Sequence, residues 1–317
     1  MNKVLITFLA GINMTSIAFG QYDANMNLWI NNLDQAKLIP ERVYKLDLSN
    51  QSLDTIPEII ESFKNLRLLK LSDNNISSID GRLDNLTKLE YVELSGNRIK
   101  ELNFNEFRGS RFTLDELWVR NNRLREVDSS LNILSNLSIL NLGSNQIKVF
   151  PANLDLSRLV NLQLDDNQFT SLPPSIAQAV KLKILNLYGN HLSEFVMPNS
   201  FRNLKMLNIG DNPVDTIDFG GQRLKLEMLI LDWIPVEAFN LAILPPTIKV
   251  LSIEHCGLKT INGLLHLKNL EELSIIQNEV QSIPYEIQNL KKLRKFWIGG
   301  NPVTDTANIP ASVEVIK

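Results

Sequence analysis

His191, His255, His266 and Cys256 are the side chains in this sequence best suited to nucleophilic, acid–base or metal chemistry. Their arrangement does not serve it. A lone cysteine excludes an intramolecular disulfide and a multi-thiolate metal centre. Cys256 follows His255 directly, which invites a thiol nucleophile with its base, yet His255 is expected to point away from it. The favoured reading is a buried structural cysteine. No glycine-rich loop sits between a strand and a helix, and Gly220-Gly221 and Gly299-Gly300 read as turn glycines. Asp165, Asp166, Asp211, Asp232 and Glu254 recur along the second half of the chain. They permit a calcium site, but a solvated acidic edge that repels acidic partners is the favoured reading. The expectation is a protein with no catalytic residue, no metal and no cofactor, and so not an enzyme.

Composition narrows the partner. The formal net charge is -3 and no Lys/Arg run is present, so nucleic acid is not expected. Residues 1–20 stand apart. Lys3 precedes an apolar stretch (4–12), then Asn13, Thr15 and Ser16, then a small-residue end at Ala18 and Gly20. This reads as a secretory signal peptide cleaved before Gln21. An uncleaved anchor helix would need about 20 mostly apolar residues, and Asn13–Ser16 interrupt the run. No cysteine follows the small residues, so the bacterial lipoprotein pattern is missing. The chain is expected to be secreted or periplasmic, with no membrane span after signal cleavage.

The elements that must position any site are repeats. The chain of 317 residues exceeds the size at which one globular core stops growing. The pattern LxxLxLxxN begins at 43, 66, 89, 114, 137, 159, 182, 204, 226, 248, 270 and 293. The steps are 22 or 23 residues, with one of 25. The LxL pair reads as a short strand with both leucines on one side. Such strands bury their leucines only by stacking into a parallel sheet. The ninth place turns the chain and holds Asn74, Asn97, Asn122, Asn145, Asn167, Asn190, Asn212, Asn278 and Asn301, with Gln51, Ile234 and Cys256 as exceptions. An amide there both donates and accepts, so it can satisfy buried backbone groups of adjacent turns.

These motifs resemble the leucine-rich-repeat family, in a bacterial secreted type with 22–23-residue repeats. LPPSIAQAVKL (172–182) and IPYEIQNLKKL (283–293) are similar to its LPxxIxxLxxL returns. The resemblance implies an α/β solenoid, a curved horseshoe with a parallel sheet on the concave side and short helical or extended returns on the convex side. It implies ligand recognition and names no ligand. The expected organisation is a signal peptide (1–20), an N-terminal helical cap (21–42), twelve repeats (43–308) and a truncated C-terminal capping strand (309–317). Within the cap, residues 27–39 read as a helix whose Leu28, Trp29 and Leu33 cover the first repeat.

The third, fifth and seventh places face outward on the concave side, where the family binds. The third place holds Ile139, Ile184, Met206, Met228 and Val250, and the fifth adds Ile230. With strands about 4.8 Å apart, these are expected to form one contiguous apolar column, a common mark of an interaction site. The alternative is mutual packing without a ligand. Trp118 and Arg120 share one repeat, Trp297 lies at the equivalent fifth place near the end, and Tyr188 sits at a seventh place. Trp and Arg are enriched at binding hot spots. Asp232-Trp233-Ile234-Pro235 breaks the asparagine column; this reads as a tolerated core swap, and the alternative is a local deviation that presents Trp233 beside Ile230. The leading expectation is an exported module that binds a protein or peptide. The rival is a glycan, stacked on Trp118, Tyr188 and Trp297 and bonded by Asn141, Gln163, Asn186 and Asn208. An intracellular scaffold follows if the export signal is false.

Overall fold

The computed structural model describes residues 28–220, 224–235 and 239–317. The signal-peptide reading of residues 1–20, and residues 21–27 of the cap, lie outside the described residues.

Each of the twelve repeats forms a three-residue strand at its third to fifth places, and with one further strand these make a thirteen-stranded parallel sheet among the described residues. The strands run from Lys45–Asp47 to Lys295–Trp297, with a thirteenth at Glu314–Ile316. Register never slips: third place pairs with third and fifth with fifth, as in Met206↔Met228↔Val250. Consistent register follows from burial, because a one-residue slip would turn the inward leucines outward. The fifth repeat shows the inward set, with Leu137, Leu140, Leu142 and Ile147 all buried. Each such side chain contributes about 1.5–3 kcal/mol relative to exposure. The returns carry short 3-10 turns, such as Glu58–Ser62 and Tyr285–Asn289.

The 25-residue step has a local cause. Its return holds a longer 3-10 segment, Phe104–Ser110, which buries Phe104 and Phe107. Gly109 passes so close to the preceding return that a Cβ would lie 2.2 Å from the Asp84 carbonyl oxygen. A second, two-stranded parallel pairing joins Glu194–Val196 to Thr216–Asp218 in the returns.

The N-terminal cap differs from the expectation. Helix α1 spans only Leu33–Leu38, capped by Asn32, whose Oδ1 accepts from the Asp34 and Gln35 amides. Ahead of it the chain is extended, and Ile30 bridges to Leu46 at the sheet edge. The core is therefore covered by Ile30 and Ala36, with Leu33 packed against it. Leu28 is 70% exposed because it lies before the pairing begins, and Trp29 turns outward under the Lys70 ammonium, 4.6 Å away. At the far end, Glu314–Ile316 pairs with Lys295–Trp297, and Ile309 and Val313 are buried beneath it.

Candidate functional site

Three residue columns run along the stack, and each is built by the turn after the strand. The ninth-place amides form a ladder. Asn145 Nδ2 donates to the carbonyls of Val119, Leu142 and Gly143 at 3.0, 3.0 and 3.2 Å, and its Oδ1 accepts from the Leu124 amide at 3.0 Å. Where the preceding ninth place is not Asn, the next Asn takes a second donor. Asn74 Oδ1 accepts from Gln51 and Leu53, and Asn278 Oδ1 accepts from Cys256 and Leu258. Cys256 itself stands in as a donor, its Sγ 3.2 Å from the Leu231 carbonyl oxygen. Burial pushes its thiol up to about 12, so the thiolate needed of a nucleophile is scarce at neutral pH.

The eighth place is left-handed in all twelve repeats, with φ between 50° and 72°. Asn, Asp and Gly tolerate this backbone. Trp233 (φ 64°) and His255 (φ 56°) occupy it in consecutive repeats. A bulky residue there costs about 1–2 kcal/mol. Their rings stack, centroids 3.8 Å apart and planes 6° from parallel. Trp233 thus lies one step beyond the sheet, on the loop edge, rather than in the apolar group around Ile230.

The seventh place carries a bridge that spans two repeats and a tyrosine ring that covers the next repeat. Arg120 crosses Gly143 to pair with Asp165 and also reaches Asp166, at 3.3 Å. A Cβ on Gly143 would fall 2.6 Å from Asp165 Oδ1 and against the Arg120 guanidinium. Tyr188 leans over Gly210, its ring 3.2 Å from the position of a Cβ there, with its hydroxyl beside Asp211. Burial raises Asp165 above the ordinary aspartate range despite the pull of Arg120. Tyr188 is raised by burial and then by Asp211 and Asp166. Arg120 is therefore committed to carboxylates of its own chain. Among the described residues no three His, Cys, Asp or Glu side chains are grouped to hold a metal ion.

The concave face changes character along the stack. In the early repeats it is acidic and aromatic. The Tyr91 hydroxyl donates to Glu93 at 2.7 Å, and Trp118 Nε1 donates to Glu116 Oε2 at 3.2 Å. Burial raises Glu116, and the Trp118 bond opposes it. The middle repeats present amides. Asn141, Asn186 and Asn208 spend their Oδ1 on the amides of Gly143, Tyr188 and Gly210. Gln163 donates to Asn161 Oδ1, while Asn161 Nδ2 is buried without a hydrogen-bond partner. The later repeats are apolar. Ile184, Met206, Met228, Ile230 and Val250 are buried against one another, with Trp297 packed on them.

The sequence-derived column needs one correction. Ile139 does not join that cluster, because its register partner is Asn161, and only the next strand supplies Ile184. Sequence reasoning also missed the Arg120 bridge and the Trp233–His255 stack. Gly143, one repeat before Asp165, is the signal that could have found the bridge.

A sheet of in-register three-residue strands with an amide ladder in the turns defines a repeat solenoid. The leucine-rich-repeat family descriptions match residues 41–99 and 181–204. The chain is a leucine-rich-repeat protein. It is 30% identical over 309 residues to adenylate cyclase of Schizosaccharomyces pombe, covering 93% of this chain and 18% of that protein. The chain thus spans less than a fifth of that relative's length. An internalin from Listeria monocytogenes superposes with a TM-score of 0.68 at 21% identity, covering 89% of this chain and 88% of that one. A plant peptide hormone receptor, solved in complex with the peptide RGF2, matches at TM-score 0.60 and 25% identity, covering 82% of this chain and 44% of that one.

Proposed function

We propose that this chain is an exported, non-enzymatic recognition module that binds an extended polypeptide along its concave sheet. The carrying observation is the side-chain amides of the middle repeats. With the oxygens of Asn141, Asn186 and Asn208 held by backbone amides, their side-chain N–H groups are the ones this stretch offers. A polypeptide presents a carbonyl acceptor at every residue, and its side chains would meet the half-buried Trp297 ring that covers the buried apolar cluster. A glycan hydroxyl can accept the same bonds, and the likeness of the fold to a receptor solved with RGF2 favours the polypeptide over the sugar. Trp118, Tyr188 and Trp297 would add aromatic anchors. Arg120 would act by fixing the loop edge, since its guanidinium is already paired. The peptide-bound state of the plant receptor is consistent with this reading. The likeness to adenylate cyclase covers 18% of that enzyme, and we carry over the repeat and not the activity.

Two parallel selections test it. The chain beginning at Gln21 is panned against a random peptide display library and applied to an array of peptidoglycan fragments and bacterial polysaccharides. Enrichment of peptides with alternating apolar residues is expected. Retention of glycans with no peptide enrichment would overturn the polypeptide reading.

A further inference from the structure

The loop edge of repeats eight to ten, off the sheet face, carries chemistry that the concave reading does not use. Asp211, Trp233 and His255 hold the eighth place in three consecutive repeats. Backbone bonds fix their order: the Asp211 amide donates to the Asp232 carbonyl and the Trp233 amide to the Glu254 carbonyl, at 2.7 and 2.8 Å. His255 covers one face of the Trp233 ring, yet the tryptophan remains 52% exposed. The order of the repeats puts Asp211, which is exposed, on the ring's other side. In the repeat before, the eighth place is Gly189, and the Asp166 carboxylate leans over it, its Oδ1 2.6 Å from the position of a Cβ there. Tryptophan is a costly choice at a left-handed position that, His255 apart, is filled elsewhere by asparagine, aspartate, glycine, serine and glutamine. An aromatic face fixed by a stacked neighbour, with a carboxylate beside it, is a seat for a cation.

We propose that this edge holds a basic side chain of a partner polypeptide, an arginine or lysine, on the open face of Trp233 and paired with Asp211. Charge complementarity argues for that occupant. Asp166, Asp211 and Glu254 lie on the same edge, and Arg120 serves only Asp165 and Asp166. No ion pair among the described residues neutralises Asp211 or Glu254. Asp232 is turned inward, its Oδ1 accepting from the Ser252 hydroxyl and the Glu254 amide, while Asp211, exposed and with the Tyr188 hydroxyl beside it, is the carboxylate that faces a ligand. An arginine guanidinium fits both demands, since its plane stacks on the indole while its edge donates to the carboxylate. The proposal does not depend on the concave site, and its test is read at different residues.

The test uses the full chain and a labelled tetra-arginine peptide, followed by fluorescence anisotropy at low salt. Trp233→Asn keeps the left-handed backbone that Asn50 and Asn121 adopt at the same place. Asp211→Asn is an exposed isostere that keeps the fold if the first variant does not. Each is expected to weaken binding about tenfold, while Tyr285→Ala, at an exposed aromatic in a return, leaves it unchanged. Parent-like affinity in folded Trp233→Asn would overturn the proposal, as would an equal loss in Tyr285→Ala. Binding of a chitin oligosaccharide that depends on Trp233, with no peptide binding, would overturn it in favour of a sugar.

Discussion

Replacing one ladder asparagine should cost an amount set by how many backbone groups it alone satisfies. In Asn145→Ala, the Val119 carbonyl keeps the Asn122 amide, the Leu142 carbonyl keeps the Asn167 amide and the Gly143 carbonyl keeps the Asn121 N–H. Only the Leu124 N–H, whose acceptor is Asn145 Oδ1, is left without a partner. One buried unpaired donor costs about 1–3 kcal/mol. In Asn278→Ala, the Cys256 and Leu258 N–H groups are both stranded, and the Ile253 carbonyl loses its donor. The expected cost is about 2–6 kcal/mol, roughly twice as much. Against the 5–15 kcal/mol of an ordinary domain, the second variant should be the clearly weakened one. Urea unfolding followed by far-ultraviolet circular dichroism measures both, with an unchanged slope showing that the same surface is exposed. Equal midpoints for the two variants, or a larger loss in Asn145→Ala, would refute the counting of orphaned donors.

Other outcomes follow from the same geometry. Gly143→Ala should displace Arg120 from Asp165, so Arg120→Ala should lower the unfolding midpoint in the parent and hardly at all in the Gly143→Ala background; additive losses would contradict the bridge. Burial raises the folded-state pKa of Glu116. The stability tied to its neutral form is complete below the ordinary glutamate range and is lost as pH rises through the raised value. Glu116→Gln should therefore gain on the parent between pH 4 and pH 7, and parallel stability profiles would refute this. Export predicts that protein recovered from its native host starts at or near Gln21 on N-terminal sequencing; an intact Met1 on cytosolic material would sink it.

The solenoid was legible in the sequence because its physics repeats. Leucines at the first, fourth and sixth places can be buried only by stacking, and twelve copies leave no other arrangement. The returns were harder. The Glu194–Val196 pairing and the Phe104–Ser110 segment depend on contacts with a neighbouring return, which a single repeat does not encode. The cap was misread because helical periodicity in 27–39 competed with the open sheet edge, and Ile30 paired with that edge instead. The concave column was overextended to Ile139 because the third places were read without noting Asn161 between them. The bridge from Arg120 to Asp165 escaped notice because it links every second repeat. Trp233 was noticed as a break in the asparagine column, but its stack on His255 needed the left-handed turn that aims both rings along the edge.

The central claim is that the concave sheet, and not the returns, carries recognition, and one comparison tests it most directly. With a peptide from the display selection, affinities are measured for Trp118→Ala and Trp297→Ala on the inner face. They are set beside Lys181→Glu, Lys268→Glu and Lys291→Glu, which are exposed in the returns. At least one inner-face change should cost about 2 kcal/mol or more of binding, with the fold intact by circular dichroism. The lysine changes should cost little. Losses confined to the lysine set, with both tryptophan variants binding as the parent does, would contradict the account.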